Sequence, residues 1–302
     1  MPIYVPALSR RRFLTGSLAA GAGVMLGGPL LADTTPVDAN RYVLLSDLHV
    51  WEHRKGEHGG QFPTPNFEAA RSEILALTPR PATAIVSGDC VFREGHAEDY
   101  AVLADLIHPL RKAGISFHFA LGNHDGRENF HAAFPETKPK SEPPVPHKCV
   151  AIQETPHANW FLLDSLLKTN HTPGRLGKVQ LEWLAKALDA RSDKPALVVA
   201  HHNLDTKPNT HGLEDTQALL DVISTRKQVK AYIYGHRHRW SSETQDGLHM
   251  VNVPTLVWVF DQKQPRGWVD VRLRPDGAAL VLHALDKAHK ANGQTIDLKW
   301  RS

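Results

Sequence analysis

Five short segments of this chain carry side chains that bind metal ions: Asp47-Leu48-His49, Gly88-Asp89, Gly122-Asn123-His124-Asp125, His201-His202 and Gly235-His236-Arg237-His238. Carboxylate, amide oxygen and imidazole suit hard-to-borderline divalent cations, and the set offers nothing softer. A lone Asp-x-His or Gly-Asp pair arises often by chance. Five in this order, closing apolar runs, do not.

The runs are Tyr42–Leu45, Ala84–Val86, Phe117–Leu121, Ala196–Ala200 and Val229–Tyr234. A short, continuous apolar run reads as a strand buried on both faces in a layered α/β protein. In open α/β sheets, ligands gather beyond the carboxyl ends of the strands, which is where each polar segment falls. Between the strands lie helical patterns. Asn66 is expected to cap a helix over Phe67–Leu77, stopped by Pro79. Tyr100, Leu103, Leu106, Ile107 and Leu110 keep helical spacing over Ala97–Lys112, with Gly114 as the stop. Val179 to Leu188 and Leu213 to Ile223 mark two more. Beyond His238 the texture becomes strand-like over Leu248–Val253, Thr255–Phe260, Trp268–Leu273 and Ala279–His283, with a hairpin turn at Pro275-Asp276-Gly277. Early βαβ units followed by a β-rich end predict two packed sheets flanked by helices.

The order D-x-H, G-D, G-N-H-D, H and G-H-x-H resembles the calcineurin-like metallophosphoesterase superfamily, over about Arg41 to His283. Trp160-Phe161-Leu162-Leu163-Asp164-Ser165, Gly174-Arg175-Leu176-Gly177 and Gln180-Leu181-Glu182-Trp183-Leu184 resemble the small single-domain bacterial phosphatases and phosphodiesterases of that group. The resemblance implies a four-layer αββα sandwich in the α/β class. It also implies two metal ions, one held by Asp47, His49, Asp89 and His238, the other by Asp89, Asn123, His201 and His236. A shared carboxylate bridges naturally because each oxygen can serve one cation. Asn123 adds a neutral oxygen, so the site stays positive toward phosphate. The expected reaction is hydrolysis of a small phosphate ester by in-line attack of a hydroxide shared between the cations. His124 is expected to protonate or stabilise the leaving oxygen, and Asp125 to orient that imidazole. A non-catalytic, metal- or ligand-binding member of the same fold is the alternative, yet none of Asp47, His49, Asp89, Asn123, His124, His201, His236 and His238 is missing.

Two departures from the family pattern matter. Asn203 stands where Pro usually follows the His201 segment, so His202 competes with His201 as ligand. Purple acid phosphatases carry a Tyr ligand three residues after the bridging Asp, whereas this chain has Phe92. Ferric-tyrosinate chemistry is not expected, and the metals stay open among Fe, Mn and Zn. The loop Trp51–His58, which includes His53 and Arg54, is expected to overhang the site. Arg127, His171, Arg175, His202 and His211 are further candidate substrate contacts. Monoester and diester remain open.

Ser9-Arg10-Arg11-Arg12-Phe13-Leu14 resembles a twin-arginine export signal, predicting a leader over residues 1–32 and a periplasmic or extracellular domain over 33–302. The stretch from Leu14 to Ala32 is too interrupted by Gly to predict a membrane anchor. The chain holds 35 Lys and Arg against 32 acidic residues. Three of the basic residues and no acid lie in the leader, so the remainder is formally neutral and predicts no nucleic-acid partner. Of the two cysteines, Cys90 follows a candidate ligand at the end of a buried strand and is expected to be a buried free thiol. Cys149 is expected in a later strand, a disulfide between them stays open, and neither reads as a nucleophile.

Overall fold

The computed structural model describes residues 35–139, 141–205 and 211–302. The leader expected over residues 1–32 lies outside them. The chain begins as alternating strand and helix: β1 (Val37–Leu45), α1 (Pro63–Leu75), β2 (Arg80–Val86), α2 (Ala97–Lys112), β3 (Ser116–Phe119) and α3 (Arg127–Ala133). A second run follows: β4 (Ala151–Glu154), β5 (Asn159–Leu162), α4 (Lys178–Asp189), β6 (Ala196–Val199), α5 (Thr216–Ile223) and β7 (Val229–Tyr234). The β-rich end is β8 (Ser241–Gln245), β9 (Leu248–Asn252), β10 (Gly267–Arg274), β11 (Gly277–Ala284) and β12 (Thr295–Lys299).

These strands form two six-stranded sheets, ordered β12-β11-β10-β1-β2-β3 and β4-β5-β6-β7-β9-β8. β1, β2 and β3 pair in parallel, as do β5, β6, β7 and β9. The remaining strands join antiparallel.

Side-chain alternation builds the layers. On β1, Tyr42 and Leu44 face the second sheet, packing in one cluster with Trp160 and Leu162 of β5 and Leu197 and Val199 of β6. Val43 and Leu45 face the other way, onto Phe67 of α1 and Tyr100 and Leu103 of α2. Phe161 and Val198 of the second sheet face Leu184 and Leu188 of α4 and Leu219 of α5. The result is the αββα sandwich, with one core between the sheets and one under each helical layer. Tyr42 and Trp160 meet across the central layer at 5.1 Å between ring centroids. Truncating such a buried aromatic side chain costs about 3–5 kcal/mol.

Local signals decide the helix ends. α2 carries Glu98 and Asp99 in its first turn and Arg111 and Lys112 in its last, matching the helix dipole at both ends. α1 starts at Pro63, before the expected cap, because proline supplies preset helical φ where no backbone donor is needed. Asn66 therefore sits inside the helix, and its Nδ2 donates to the carbonyl of Leu256 at 2.7 Å. The strand expected over Thr255–Phe260 is an unpaired loop. Thr255 Oγ1 donates to the carbonyl of Asp47 at 3.0 Å and accepts the amide of Val257, which turns the backbone away from sheet pairing. Cys149 lies just before β4 rather than within a strand. The hairpin at Pro275-Asp276 joins β10 and β11 as expected, with Arg274 opposite Gly277.

Candidate metal centre

The five ligand-bearing segments converge where the two sheets present their strand ends. The turns after β1 and β2 are stitched together by Asp47 N to Gly88 O at 3.0 Å and Leu48 N to Asp89 O at 2.9 Å. After β6 and β7, Gly235 N donates to His201 O at 3.0 Å. His236 N reaches across to the Asp47 carboxylate at 3.1 Å, tying one sheet to the other. Asp47, His49, Asp89, His236 and His238 all have left-handed backbones, with φ between 44° and 65°. For non-glycine residues that conformation costs about 1–2 kcal/mol each. Such strain clusters at functional sites, and here it turns each side chain off its strand into one volume. Gly88, at φ 104°, lies so near His201 that a Cβ there would meet the imidazole at 2.7 Å.

Two triads of donor atoms stand side by side: Asp47, His49 and His238, then Asp89, His201 and His236. His49, Asp89 and His124 form a third grouping that overlaps both. His238 Nε2 lies 3.2 Å from Asp47 Oδ1, and His201 Nε2 lies 3.3 Å from Asp89 Oδ2. His49 Nε2 is 3.7 Å from Asp89 Oδ2. Backbone carbonyls fix two of the rings: His201 Nδ1 meets Ser87 O at 2.9 Å and His238 Nδ1 meets Trp258 O at 2.6 Å. With Nδ1 of each ring held by a carbonyl, Nε2 is directed inward at the carboxylates, the nitrogen that a metal ion would take.

The residues fit metal ions on independent grounds. Both ring nitrogens of His49 and Oδ1 of Asn123 are buried without a hydrogen-bond partner among the described residues, an arrangement that costs free energy unless something else binds them. Burial opposes ionisation of Asp47, yet His238 and His201 hold its carboxyl below the ordinary range. Asp89 behaves alike: burial raises it, and His201 and His124 bring it well below. Burial pushes His49 down to about 3, and burial together with His201 does the same to His236. His201 goes up, to about 9, because Asp89 and Asp47 outweigh its burial. Two buried, ionised carboxylates demand positive charge, which divalent cations supply.

His124 borders the cavity, and its backbone N–H donates to Asp89 Oδ1 at 2.9 Å. The expected role of Asp125 is corrected. His124 Nδ1 meets the carbonyl oxygen of Arg93 at 3.0 Å, so that carbonyl orients the ring. The Asp125 carboxylate instead turns beneath the loop, accepting Gly122 N at 2.8 Å, Tyr100 Oη at 2.9 Å and Cys90 N at 3.1 Å. Burial and Asp89 raise it to about 6.

The expected substrate contacts are redistributed. His202 is buried with both ring nitrogens engaged, Nδ1 with Ser165 Oγ and Nε2 with the carbonyl of Thr172, each at 2.8 Å. Burial and His236 push its pKa well below the ordinary value, so it is a neutral packing partner of the His236 ring. Arg127 is committed to a two-pronged pair with buried Asp164 at 2.7 and 2.8 Å and borders a separate cavity of about 850 Å³. Arg54 pairs with Asp105, Arg175 with Glu214, and His53 sits by Glu52, all away from the cavity lining. His171 is exposed between two residues that do line it, Asn170 and Thr172. His211 borders an adjoining lobe.

The cavity over the donors has a volume of about 370 Å³, and its walls include residues the sequence reading passed over: Arg93, Asn170, Trp258 and Phe260. His58, the last residue of the loop expected overhead, and Phe92 also line it. Trp258 packs against His49 at 4.5 Å and His58 at 4.8 Å between ring centroids. The signal for Trp258 and Phe260 was two large aromatic residues in a segment whose alternation imitates a strand.

Known proteins resemble this chain in sequence and fold. Residues 41–240 match the calcineurin-like phosphoesterase family. The chain is 25% identical over 260 residues to the 3',5'-cyclic adenosine monophosphate phosphodiesterase CpdA of Vibrio vulnificus, covering 84% of this chain and 89% of that protein. It is 30% identical over 218 residues to a probable glycerophosphodiester phosphodiesterase GpdQ of Arcobacter nitrofigilis, covering 68% of this chain and 71% of the other. Among solved structures, a dimetal phosphatase from Danio rerio superposes with a TM-score of 0.66 at 13% identity, over 87% of this chain and 99% of the other, a likeness of fold. The strand-end donor set and the family match over residues 41–240 together place the chain in the calcineurin-like phosphoesterase family, as a metal-dependent phosphoesterase.

Proposed function

We propose that the chain hydrolyses small organic phosphodiesters with two divalent cations. The observation that carries this reading is the pair of adjacent triads, Asp47–His49–His238 and Asp89–His201–His236. Asp89 groups with His201 and His236 on one side and with His49 and His124 on the other, and the buried, unpartnered Oδ1 of Asn123 is proposed as a further ligand of the second set. When bound, the cations supply positive charge for the phosphoryl oxygens and for activation of the attacking water. The chain's own groups do the rest. His124, with Nδ1 held by the Arg93 carbonyl, keeps Nε2 free to give a proton to the leaving oxygen. Trp258 and Phe92 wall the centre with apolar surface, which strengthens every charge interaction inside.

A diester suits the site better than a monoester. Arg93 is the one guanidinium among the described residues lining the cavity over the donors, Arg237 and Arg239 lining the adjoining lobe instead. Within the cavity over the donors, little is therefore offered to the extra charge of a monoester beyond the cations. The two sequence relatives reported above are named phosphodiesterases. Phe92 in the cavity wall cannot ligate, which leaves Fe, Mn and Zn as candidates without tyrosinate chemistry. The test is a comparison of bis-nitrophenyl phosphate with nitrophenyl phosphate on the metal-loaded chain. A higher kcat/KM for the diester supports the reading, and a higher value for the monoester sinks it.

We further propose that residues 1–32 export the folded domain, residues 33–302, by the twin-arginine route. The support is the segment Ser9–Leu14, whose paired arginines are read by a receptor rather than as bulk charge. Replacing Arg10 and Arg11 by Lys should strand active enzyme in the cytoplasm; normal export of that variant removes the proposal.

A further inference from the structure

Beside the metal centre lies a second lobe of about 560 Å³ that shares His236, His238, Thr172 and Phe260 with the first cavity. Phe260 is 71% exposed, an unusual state for a large apolar residue at the lip of a polar site. One face of its ring stacks on His238, at 4.6 Å between centroids and 25° between planes. The other side of the ring therefore stands open to solvent. Arg237 and Arg239, interleaved with the two His ligands of the last motif, line the same lobe. Both are exposed, and neither side chain has a hydrogen-bond or ion-pair partner among the described residues. Asp261, also in the lobe, spends one oxygen on the backbone amide of Lys263 at 3.0 Å.

The geometry points to a specificity subsite for a planar heterocycle, in which Phe260 is the stacking platform and Arg237 and Arg239 address the ring's acceptor edge. This rests on the reading of the adjoining centre as a phosphodiesterase site and names the substituent its substrate carries. An open aromatic face beside a phosphate-binding centre matches a nucleobase, since every base has a π-face. Guanidinium groups add planar stacking and paired donors that match heterocycle nitrogen and carbonyl acceptors. A glycerol substituent has no flat surface to stack, and a quaternary ammonium group would face two like charges. The subsite thus selects nucleotide esters over glycerophosphodiesters.

Binding of adenosine monophosphate and of ribose phosphate to the metal-loaded chain, measured by calorimetry, isolates the base. The two ligands share sugar and phosphate. Adenosine monophosphate should bind about tenfold more tightly, within the range of base stacking on one aromatic side chain. Phe260→Ala should erase that difference while leaving ribose phosphate unchanged, and Phe260→Trp should keep it. Arg237→Gln combined with Arg239→Gln should weaken adenosine monophosphate more than ribose phosphate. Equal binding of both ligands by the unmodified chain, or a preference that survives Phe260→Ala, overturns the subsite. Hydrolysis of methyl nitrophenyl phosphate by the same preparation separates the two readings: equal binding with hydrolysis intact removes the subsite alone.

Discussion

Ser165 Oγ and His202 Nδ1 stand 2.8 Å apart, and this contact across 37 residues assigns opposite roles to two adjacent histidines. Held by Ser165 on one side and the Thr172 carbonyl on the other, His202 has no nitrogen left for a cation. His201 keeps Nε2 directed at Asp89. His201→Ala should therefore lose most of one metal equivalent, while His202→Ala retains metal and loses stability, by about 1–3 kcal/mol for the partners left unsatisfied. Metal analysis and denaturant titration of both variants check this. Greater metal loss from His202→Ala would reverse the assignment.

His124 and Asp125 should separate in kinetics because the structure separates them in space. His124→Ala should cut turnover sharply at near-normal metal content, most for diesters with high-pKa leaving alcohols and least for nitrophenolate, which departs without a proton. Asp125→Asn acts on the turn holding Asp89 and Gly122 together, through Cys90 N, Gly122 N and Tyr100 Oη. Its rate loss should be the same across leaving groups and accompanied by lower stability. A leaving-group dependence for Asp125→Asn matching that of His124→Ala would restore the direct partnership.

That partnership shows where sequence reading stops. The strand-end position of the candidate donor segments is legible because each follows an apolar run, and the α2 span follows from its helical spacing, with the flanking charges agreeing. The contact between His124 and Asp125 that the family resemblance implies is absent because the carboxylate folds under Gly122. Arg127 finds Asp164 only through tertiary packing, at a separation no local pattern encodes. The alternation of Thr255 to Phe260 looked like a strand because exposure and pairing are invisible locally; the Asp47 carbonyl, which accepts the Thr255 hydroxyl, decides otherwise.

The two cysteines should be inert in the folded chain. Burial pushes the Cys90 thiol well above its ordinary pKa, with Asp125 and Asp89 adding to the effect. Burial together with Asp164 raises Cys149 to about 12. Alkylation needs the thiolate, so iodoacetamide at mildly alkaline pH should label neither until denaturant is added. The linkage has a fixed sign. Above the ordinary thiol pKa the unfolded chain has released protons that the folded chain retains, so stability falls as pH rises toward 12. Mass spectrometry of the native labelling reaction checks the first outcome, and rapid labelling of Cys90 would contradict it.

Gly88 should tolerate no side chain. Its φ of 104° and the 2.7 Å approach of an added Cβ to the His201 ring leave no room without displacing that imidazole. Gly88→Ala should lower metal content and activity together, whereas Gly114→Ala, where an added Cβ meets nothing within 4 Å, should keep metal at a cost from its positive φ alone. Equal metal content in the two variants would show that His201 moves freely.

The central claim is that Asp89 lies between two cations, and metal analysis of Asp89→Ala tests it most directly. The purified unmodified chain should carry about two divalent ions, as dinuclear hydrolase sites do. Asp89→Ala should lose both, while His238→Ala and His201→Ala each lose mainly one. A single ion in the unmodified chain, or an Asp89→Ala variant that keeps one ion at full occupancy, would contradict the shared carboxylate.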